Sequence, residues 1–449
     1  MGKLFGTDGI RGVVGENLTA DLAYRVGQAV STVLEDELGR APVLTIGKDT
    51  RISSDMLESA LMAGICSVGG NVIPLGTIPT PAVAFLTVQE QADAGIVISA
   101  SHNPFEHNGI KVFNSKGYKL PDETELKVEE KILSGVPMVE KKGTAIGRRL
   151  SGMRQLKKDY IHHLRSSIES DLSGLRILVD CACGAASATA PELFGLLNAH
   201  TEFIAVDPDG VNINDHCGST HLDLLAEKVV AGGYDIGVAF DGDADRCLLV
   251  DEKGQEIDGD QIMAICGLEL KKQGRLSGNT LVATVMSNIG LKEFGNANGI
   301  DLVCTSVGDR NVLEKMVECG YVLGGEQSGH TIFREYATTG DGELTALKFL
   351  QVLQRSGRKA SELATVCPKY PQVLKNVKLA NVAGLKERIM ADPTLREAMA
   401  KQEVAFNGEG RLLIRASGTE PLIRVMAEAK TRELAESVVD AFVDLVNAL

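Results

Sequence analysis

Short apolar runs recur along the chain, and each breaks into a polar loop. The first set is "VLTIGKD" (43–49), "NVIPLG" (71–76) and "AGIVISAS" (94–101). The second is "LRILVDC" (175–181), "HTEFIAVD" (200–207) and "DIGVAFD" (235–241). The third is "TLVATVM" (280–286), "DLVCTSV" (301–307) and "YVLGGE" (321–326). Helix-like stretches rich in Ala and Leu separate them, as in "SSDMLESALMAGICSVG" (53–69). Strands alternating with helices predict α/β units. The first and second runs are spaced alike in two sets, from residue 46 to 73 and from 178 to 205, which predicts an internal repeat.

The texture changes after "CPKYPQ" (367–372). "NVAGLKERIMADPTL" (381–395) reads as one helix, "RLLIRAS" and "LIRVMAEA" as neighbouring strands, and "TRELAESVVDAFVDLVNAL" as a closing helix. The helical segment "SGMRQLKKDYIHHLRSSI" (151–168) marks a junction. The expected architecture is three tandem related α/β domains, at 1–155, 156–256 and 257–368, and a smaller α+β domain at 369–449.

Composition narrows the function. Aromatic residues make up 4% of the 449 residues and Trp is absent, which disfavours stacking platforms for single-stranded nucleic acid. The net charge of -14 repels nucleic acid and anionic membranes. An anionic substrate then needs local cations, backbone amides or a metal. No apolar run approaches the roughly 20 residues that span a bilayer. The start, "MGKLFGTDGIRG", lacks the apolar core of a signal peptide and the hydroxyl residue of a myristoylation signal. The nine Cys are odd in number, and "CAC" (181–183) is the only close pair, without zinc spacing beyond it. Reduced thiols in a cytoplasmic protein are expected.

In α/β sheets, ligands sit beyond the carboxyl ends of strands, so the loop after each third run is where chemistry is expected. After the second set comes "DGDADR" (241–246). Asp241, Asp243 and Asp245 repel one another unless a cation neutralises them, and oxygen ligands suit Mg2+ or Ca2+. An EF-hand is a poor fit, because Arg246 stands where Gly is needed and a strand precedes the loop. A solvated acidic turn is the plainer alternative. Three carboxylates leave room for a phosphate oxygen, as Mg2+ favours in phosphoryl transfer.

After the first set, "ISASHNP" (98–104) places Ser101 directly before His102. Spacing alone favours a turn or capping serine. Adjacent strand residues face opposite ways and the G-x-S-x-G elbow is missing, so a Ser-His hydrolase is disfavoured. After the third set, "GGEQSGH" (324–330) offers Glu326 and Ser328 as hydrogen-bonding groups, or else a glycine turn with a surface His330. "RASGTEPLIR" (415–424) combines Arg415, Ser417, Gly418, Thr419 and Arg424, a phosphate cradle by composition, against a turn with exposed arginines. Arg11 in "GTDGIRG" (6–12) and Lys111 in "NGIKVF" (108–113) are further cations, and strand alternation predicts that Lys111 is exposed.

Taken in order, "SASHNP", "DGDADR", "GEQSGH" and "RASGTEPLIR" resemble the motifs of the α-D-phosphohexomutase superfamily, over essentially the whole chain. "GTDGIRG", "TVMSN" (284–288) and "GGEQSGH" are similar to stretches of the members that act on amino sugars. The resemblance implies three α/β domains with mixed sheets and a smaller fourth around a central active-site cleft. It implies that Ser101 carries phosphate and that Asp241, Asp243 and Asp245 hold Mg2+ with an oxygen on that serine. Glu326 and Ser328 then face the sugar. Arg415, Ser417, Gly418, Thr419 and Arg424 hold the phosphate that is not reacting. Arg11, Lys111 and His330 fall at acid/base or charge-stabilising positions, and His102 and Arg246 lie beside the carrier and the metal. Crowded cations are expected to lower the pKa of Lys111 toward a neutral base.

The activity so implied interconverts glucosamine 6-phosphate and glucosamine 1-phosphate. Glucosamine 1,6-bisphosphate is intermediate and activator, and the product feeds UDP-N-acetylglucosamine synthesis. The expected partner is a small phosphosugar, with no nucleic acid and no membrane; a homodimer is one assembly open to the chain. Three alternatives stand beside it. One is a mutase of the same fold acting on glucose or mannose phosphates, whose members usually carry a lysine or arginine in the "TVMSN" segment. Another is a phosphatase with Asp241 as nucleophile and Asp243 as acid. The last is a module that binds metal or phosphosugar without turnover.

Overall fold

The computed structural model describes all residues except 1–3, 7, 152, 381, 383 and 418–420. It divides into two compact units, residues 1–286 with 301–366, and residues 287–300 with 367–449. The larger unit holds three sheets. The first comprises β1 (Ile10–Val13), β2 (Val43–Lys48), β3 (Asn71–Thr77), β4 (Ala94–Ile98) and β5 (His107–Asn114), in the order β1-β5-β4-β2-β3. The second comprises β6 (Arg176–Asp180), β7 (His200–Ile204), β8 (Ile236–Phe240), β9 (Cys247–Asp251) and β10 (Glu256–Ile257), in the order β10-β9-β8-β6-β7. The third comprises β11 (Thr280–Thr284), β12 (Asp301–Thr305), β13 (Leu323–Gly325) and β14 (Thr331–Phe333), in the order β12-β11-β13-β14.

The repeat expected from spacing is present as topology. In each sheet three parallel strands are followed by one antiparallel strand: β4 with β5, β8 with β9, and β13 with β14. The inner parallel strands were legible because burial on both faces makes them apolar runs; every residue of β4, β8 and β11 is buried, whereas the edge strands β7 and β12 are partly exposed. The runs stop earlier than expected. β4 ends at Ile98, so Ser99 to Ser101 belong to the connection rather than the strand. Each candidate loop thus links the last parallel strand to its antiparallel neighbour, residues 99–106, 241–246 and 326–330. Three equivalent loops are delivered by three copies of one fold.

Helices 20–38, 54–67 and 122–133 build the first core, with Ala23, Val26, Leu57, Leu61 and Val128 packed under Leu44, Ile46 and Ile96. Thr19 caps the first of these, its hydroxyl accepting the Leu22 N–H at 3.1 Å. Helix 153–166 bears Tyr160, whose hydroxyl donates to Asp341 at 2.9 Å. Asp341 also caps helix 342–356, accepting the Leu344 N–H at 2.9 Å.

The smaller unit carries a three-stranded antiparallel sheet of β15 (Gln372–Lys378), β16 (Gly410–Ala416) and β17 (Leu422–Ala429), ordered β15-β17-β16. The two strands read as neighbours, β16 and β17, are paired along their length. Helix 432–448 covers the sheet through Val439, Phe442 and Val446. Helix 289–298 belongs to this unit, its Ile289 N–H donating to Glu428 at 2.8 Å. The single helix expected over 381–395 is corrected to two, 385–391 and 393–406. Pro393 cannot continue the first, and Asp392 caps the second by accepting the Thr394 N–H at 2.8 Å. No described helix is long and apolar enough to cross a membrane.

Candidate active site

Ser101 sits in the first connection with left-handed backbone, φ 53°, and its side chain is buried. Surrounding donors hold this conformation. The Ser101 carbonyl accepts from Arg51 Nη2 and from Asn214 Nδ2, both at 2.9 Å, and its N–H donates to Ser99 Oγ at 2.9 Å. Arg51 is itself fixed by Asp49, whose carboxylate also accepts from Ser54 and Ser99. The serine hydroxyl is thereby aimed at the second connection, where Oγ donates to Asp241 Oδ2 at 2.6 Å. A Cβ on Gly242 would stand 2.4 Å from the Ser101 carbonyl oxygen, so only glycine lets the two loops meet this closely.

Asp241, Asp243 and Asp245 are buried, with ligand atoms within 4.8 Å of one another. Asp243 Oδ2 accepts from Thr80 Oγ1 at 2.6 Å and from Lys111 Nζ at 3.0 Å. Asp243 Oδ1 and Asp245 Oδ1 are buried without a hydrogen-bond partner. Burial, then Asp245 and Asp243, push Asp241 well above the usual carboxylate range. A set of hard oxygen donors with two unsatisfied buried oxygens fits a divalent cation such as Mg2+.

Lys111 requires two corrections. It is buried, not exposed, because β5 lies between β1 and β4 and is covered on both faces. Carboxylates rather than cations dominate its surroundings: Asp243 Oδ2 at 3.0 Å, Asp8 Oδ2 at 3.1 Å and Asp245 Oδ2 at 3.7 Å. Burial and Arg11 oppose its charge, yet Asp243, Asp8 and Asp245 raise its pKa far above the ordinary value. It is a fixed ammonium, not a neutral base. Arg11 joins the same cluster through Asp8.

His102 lies beside the serine hydroxyl. Its Nδ1 lies 3.3 Å from Ser101 Oγ and also accepts from Arg246 Nη1 at 3.2 Å. Burial, then Arg246 and Arg11, pull its pKa down to about 4, so it is neutral. His330 is buried rather than on the surface. Its Nε2 accepts the Gly340 N–H at 3.0 Å, leaving the proton on Nδ1, 3.6 Å from Asp245 Oδ2. Burial favours the neutral ring, whereas Asp245 and Asp309 draw its pKa up to about 9. Nε2 also lies 3.6 Å from Asp309 Oδ2, so a carboxylate stands near each ring nitrogen.

Glu326 is half-buried and accepts the Gly308 N–H at 3.2 Å, while Ser328 is exposed. In the smaller unit Arg415 and Arg424 are direct cross-strand partners on β16 and β17. Like charges placed opposite each other are unfavourable unless an anion joins them, as in a phosphate site. Ser417 is buried and its carbonyl accepts from Lys386 Nζ at 2.7 Å. Gly418 and Thr419 lie outside the described residues. The larger unit thus brings together Ser101, His102, Lys111, the three aspartates, Arg246, His330 and Arg11, and the smaller unit pairs the two arginines.

Sequence reasoning missed Arg51, Thr80, Asn214, Asp8, Lys119 and Asp309. Lys119 Nζ bridges Asp8 at 2.7 Å and Asp309 at 2.9 Å. Arg51 and Thr80 follow the first sheet's β2 and β3, so inspecting loops beyond all strands, not only the third of each set, would have found them. Asp8 stands within "GTDGIRG", three residues before Arg11, and is the carboxylate of that motif.

Comparison with known proteins agrees with this layout. Models of the phosphoglucomutase/phosphomannomutase alpha/beta/alpha domains I, II and III match residues 2–136, 158–254 and 258–370, and that of the C-terminal domain matches 374–445. The phosphoglucosamine mutase of Acetivibrio thermocellus is 54% identical over 437 residues, covering 97% of each chain. That of Desulforudis audaxviator is 50% identical over 450 residues, covering 100% of this chain and 99% of its own. A solved phosphoglucomutase/phosphomannomutase family protein from Burkholderia thailandensis superposes with TM-score 0.82 at 25% identity, covering 99% of this chain and 97% of that one.

Proposed function

We propose a phosphosugar mutase activity from a plain premise: the chain belongs to the phosphoglucomutase/phosphomannomutase family. The substrate in this reading is glucosamine 6-phosphate and the product glucosamine 1-phosphate. Full-length relatives named phosphoglucosamine mutase, at 50% identity or more, support that choice. The observation that carries the chemistry is the Ser101 hydroxyl, 2.6 Å from Asp241 at the mouth of the three-aspartate cluster.

In this reading Ser101 carries a phosphoryl group. Transfer to the free hydroxyl of the sugar phosphate gives glucosamine 1,6-bisphosphate and the bare serine. The bisphosphate turns, and its other phosphate returns to Ser101, releasing the isomer. Asp241, Asp243 and Asp245 would hold Mg2+, which would supply neutralisation of charge at the transferring phosphate. Arg51 and Asn214 fix the serine backbone, so that its hydroxyl needs little reorganisation. Arg246, Lys111 and Arg11 offset negative charge at the reacting end. Glu326 and Ser328 recognise the sugar, His330 orients beside Asp245, and Arg415, Ser417, Gly418, Thr419 and Arg424 bind the idle phosphate. Domain boundaries near 155, 256 and 368 are part of the reading, supported by where the family matches begin and end.

Competition among glucosamine, glucose and mannose 6-phosphates tests the substrate. The expected result is the highest kcat/KM for the amino sugar. A higher value for glucose or mannose phosphate would replace it with another hexose.

A further inference from the structure

The mutase reading gives Lys119 no role. The chain returns this residue beside β5 through a tight turn. Asn114 N–H donates to the Tyr118 carbonyl at 2.7 Å and Gly117 N–H to the Asn114 carbonyl at 2.9 Å. Gly117, at φ 75°, supplies the left-handed backbone that the turn needs. Lys119 then bridges Phe113, and Leu120 N–H donates to the Val112 carbonyl at 3.0 Å. Thr338 Oγ1, from the segment after β14, pins the turn by donating to the Gly117 carbonyl at 2.7 Å.

So placed, Lys119 Nζ donates to Asp8 Oδ1 at 2.7 Å and to Asp309 Oδ1 at 2.9 Å. The other Asp8 oxygen, Oδ2, accepts from Arg11 and stands 3.1 Å from Lys111 Nζ. Lys119 therefore sets which Asp8 oxygen faces those two cations. On the far side, Asp309 Oδ2 lies 3.6 Å from His330 Nε2. His330 Nδ1 lies 3.6 Å from Asp245 Oδ2, and that oxygen lies 3.7 Å from Lys111 Nζ. Basic and acidic side chains thus alternate around a closed ring: Lys111, Asp8, Lys119, Asp309, His330 and Asp245. Burial opposes the Asp8 charge, yet Lys111, Lys119 and Arg11 hold its carboxyl well below the usual range.

We propose that Lys119 is a positioning residue: by holding Asp8 and Asp309 at once, it closes the ring and fixes Lys111 and Arg11 at the reacting end. It acts through Asp8 and touches no substrate. An exposed ion pair would contribute little, but the Lys119 side chain is only 13% exposed and is shared by two carboxylates. In such a network each member is held by two neighbours, and losing one loosens the next. The effect on turnover rests on the mutase reading; the ring does not.

The test compares the full-length, Mg2+-supplied parent with Lys119→Met and Lys119→Arg. In Lys119→Met, kcat should fall roughly 10- to 100-fold, the range for loss of an outer partner of an active-site group. KM should hold, because Arg310 Nη2 still donates to the Leu120 carbonyl at 3.0 Å and seats the helix that begins at Asp309. Lys119→Arg should recover most of the loss. Lys119 borders a cavity of about 610 Å3, room for the longer side chain, and a guanidinium can serve two carboxylates. A second readout is the ammonium resonance of Lys111 in 15N-lysine-labelled protein, assigned by its loss in Lys111→Met. It should shift in Lys119→Met and return toward the parent position in Lys119→Arg. Should Lys119→Met fail to fold, Lys119→Met/Asp309→Asn removes one charge of each sign and should show the same shift. A Lys111 resonance that stays in place, a kcat equal to the parent's, or a change in KM alone overturns the proposal. The spectrum needs no mutase assay, so a parent without turnover would sink the mutase reading while the resonance still decides the ring.

Discussion

Lys111 touches Asp8 and Asp243 from a buried position, so removing its ammonium leaves carboxylates facing one another without a counter-charge. Breaking a buried pair in this way costs about 3–5 kcal/mol. Lys111→Met should lower stability in urea unfolding by an amount of that order and reduce turnover on the order of 100-fold. Unchanged turnover would remove the fixed-charge role. At this scale the sequence was informative where a residue type is unusual in its place, as with three aspartates after an apolar strand. It misled on Lys111, because strand alternation does not show that β5 is covered on both faces, and the Asp243 carboxylate that meets its ammonium comes from a loop distant in sequence. Arg51 and Asn214 were equally hidden, each a single polar residue in a loop whose partner is a carbonyl elsewhere.

Among elements, the three connections after the parallel strands decide what the site can do. Gly242→Ala places a methyl carbon against the Ser101 carbonyl, where 2.4 Å is available. The loops must part, and turnover should fall by more than stability accounts for; a variant as active as the parent would show that their close approach is dispensable. On β16 and β17, Arg415→Ala relieves the repulsion with Arg424 while removing phosphate donors. Stability should hold or rise, and the KM for the phosphosugar should increase roughly 10- to 100-fold. A loss of stability with KM unchanged would make the pair structural. The parallel strands could be read as apolar runs, whereas β5 and β14 could not. β5 interrupts its pattern with Asn108 and Lys111, and β14 spans only Thr331–Phe333. An antiparallel return strand is defined by its partner more than by its own periodicity.

At the scale of the molecule, buried acids behind the site tie stability to pH. Burial pushes Asp341 up to about 7, against an unfolded value of about 3.9. The folded state then binds more protons than the unfolded state between roughly pH 4 and 7, so this contribution to stability is full at low pH and is lost as pH rises. Asp341→Asn keeps a capping side chain for helix 342–356 and removes the titration. The variant should gain on the parent in urea unfolding as pH rises from 4 to 8; parallel curves would place the group at its ordinary pKa. Chain-wide repetition made the architecture legible, since one topology appears three times with its loops at equivalent places.

Transfer of label from the serine tests the central claim most directly. The protein is phosphorylated on Ser101 with labelled hexose 1,6-bisphosphate, freed of ligand and mixed with unlabelled glucosamine 6-phosphate and Mg2+. The account expects label to leave Ser101 and appear in glucosamine 1,6-bisphosphate and then in the monophosphates, with Ser101→Ala taking up none. Label that stays on Ser101, passes only to inorganic phosphate, or is found as an acyl phosphate on Asp241 would contradict it.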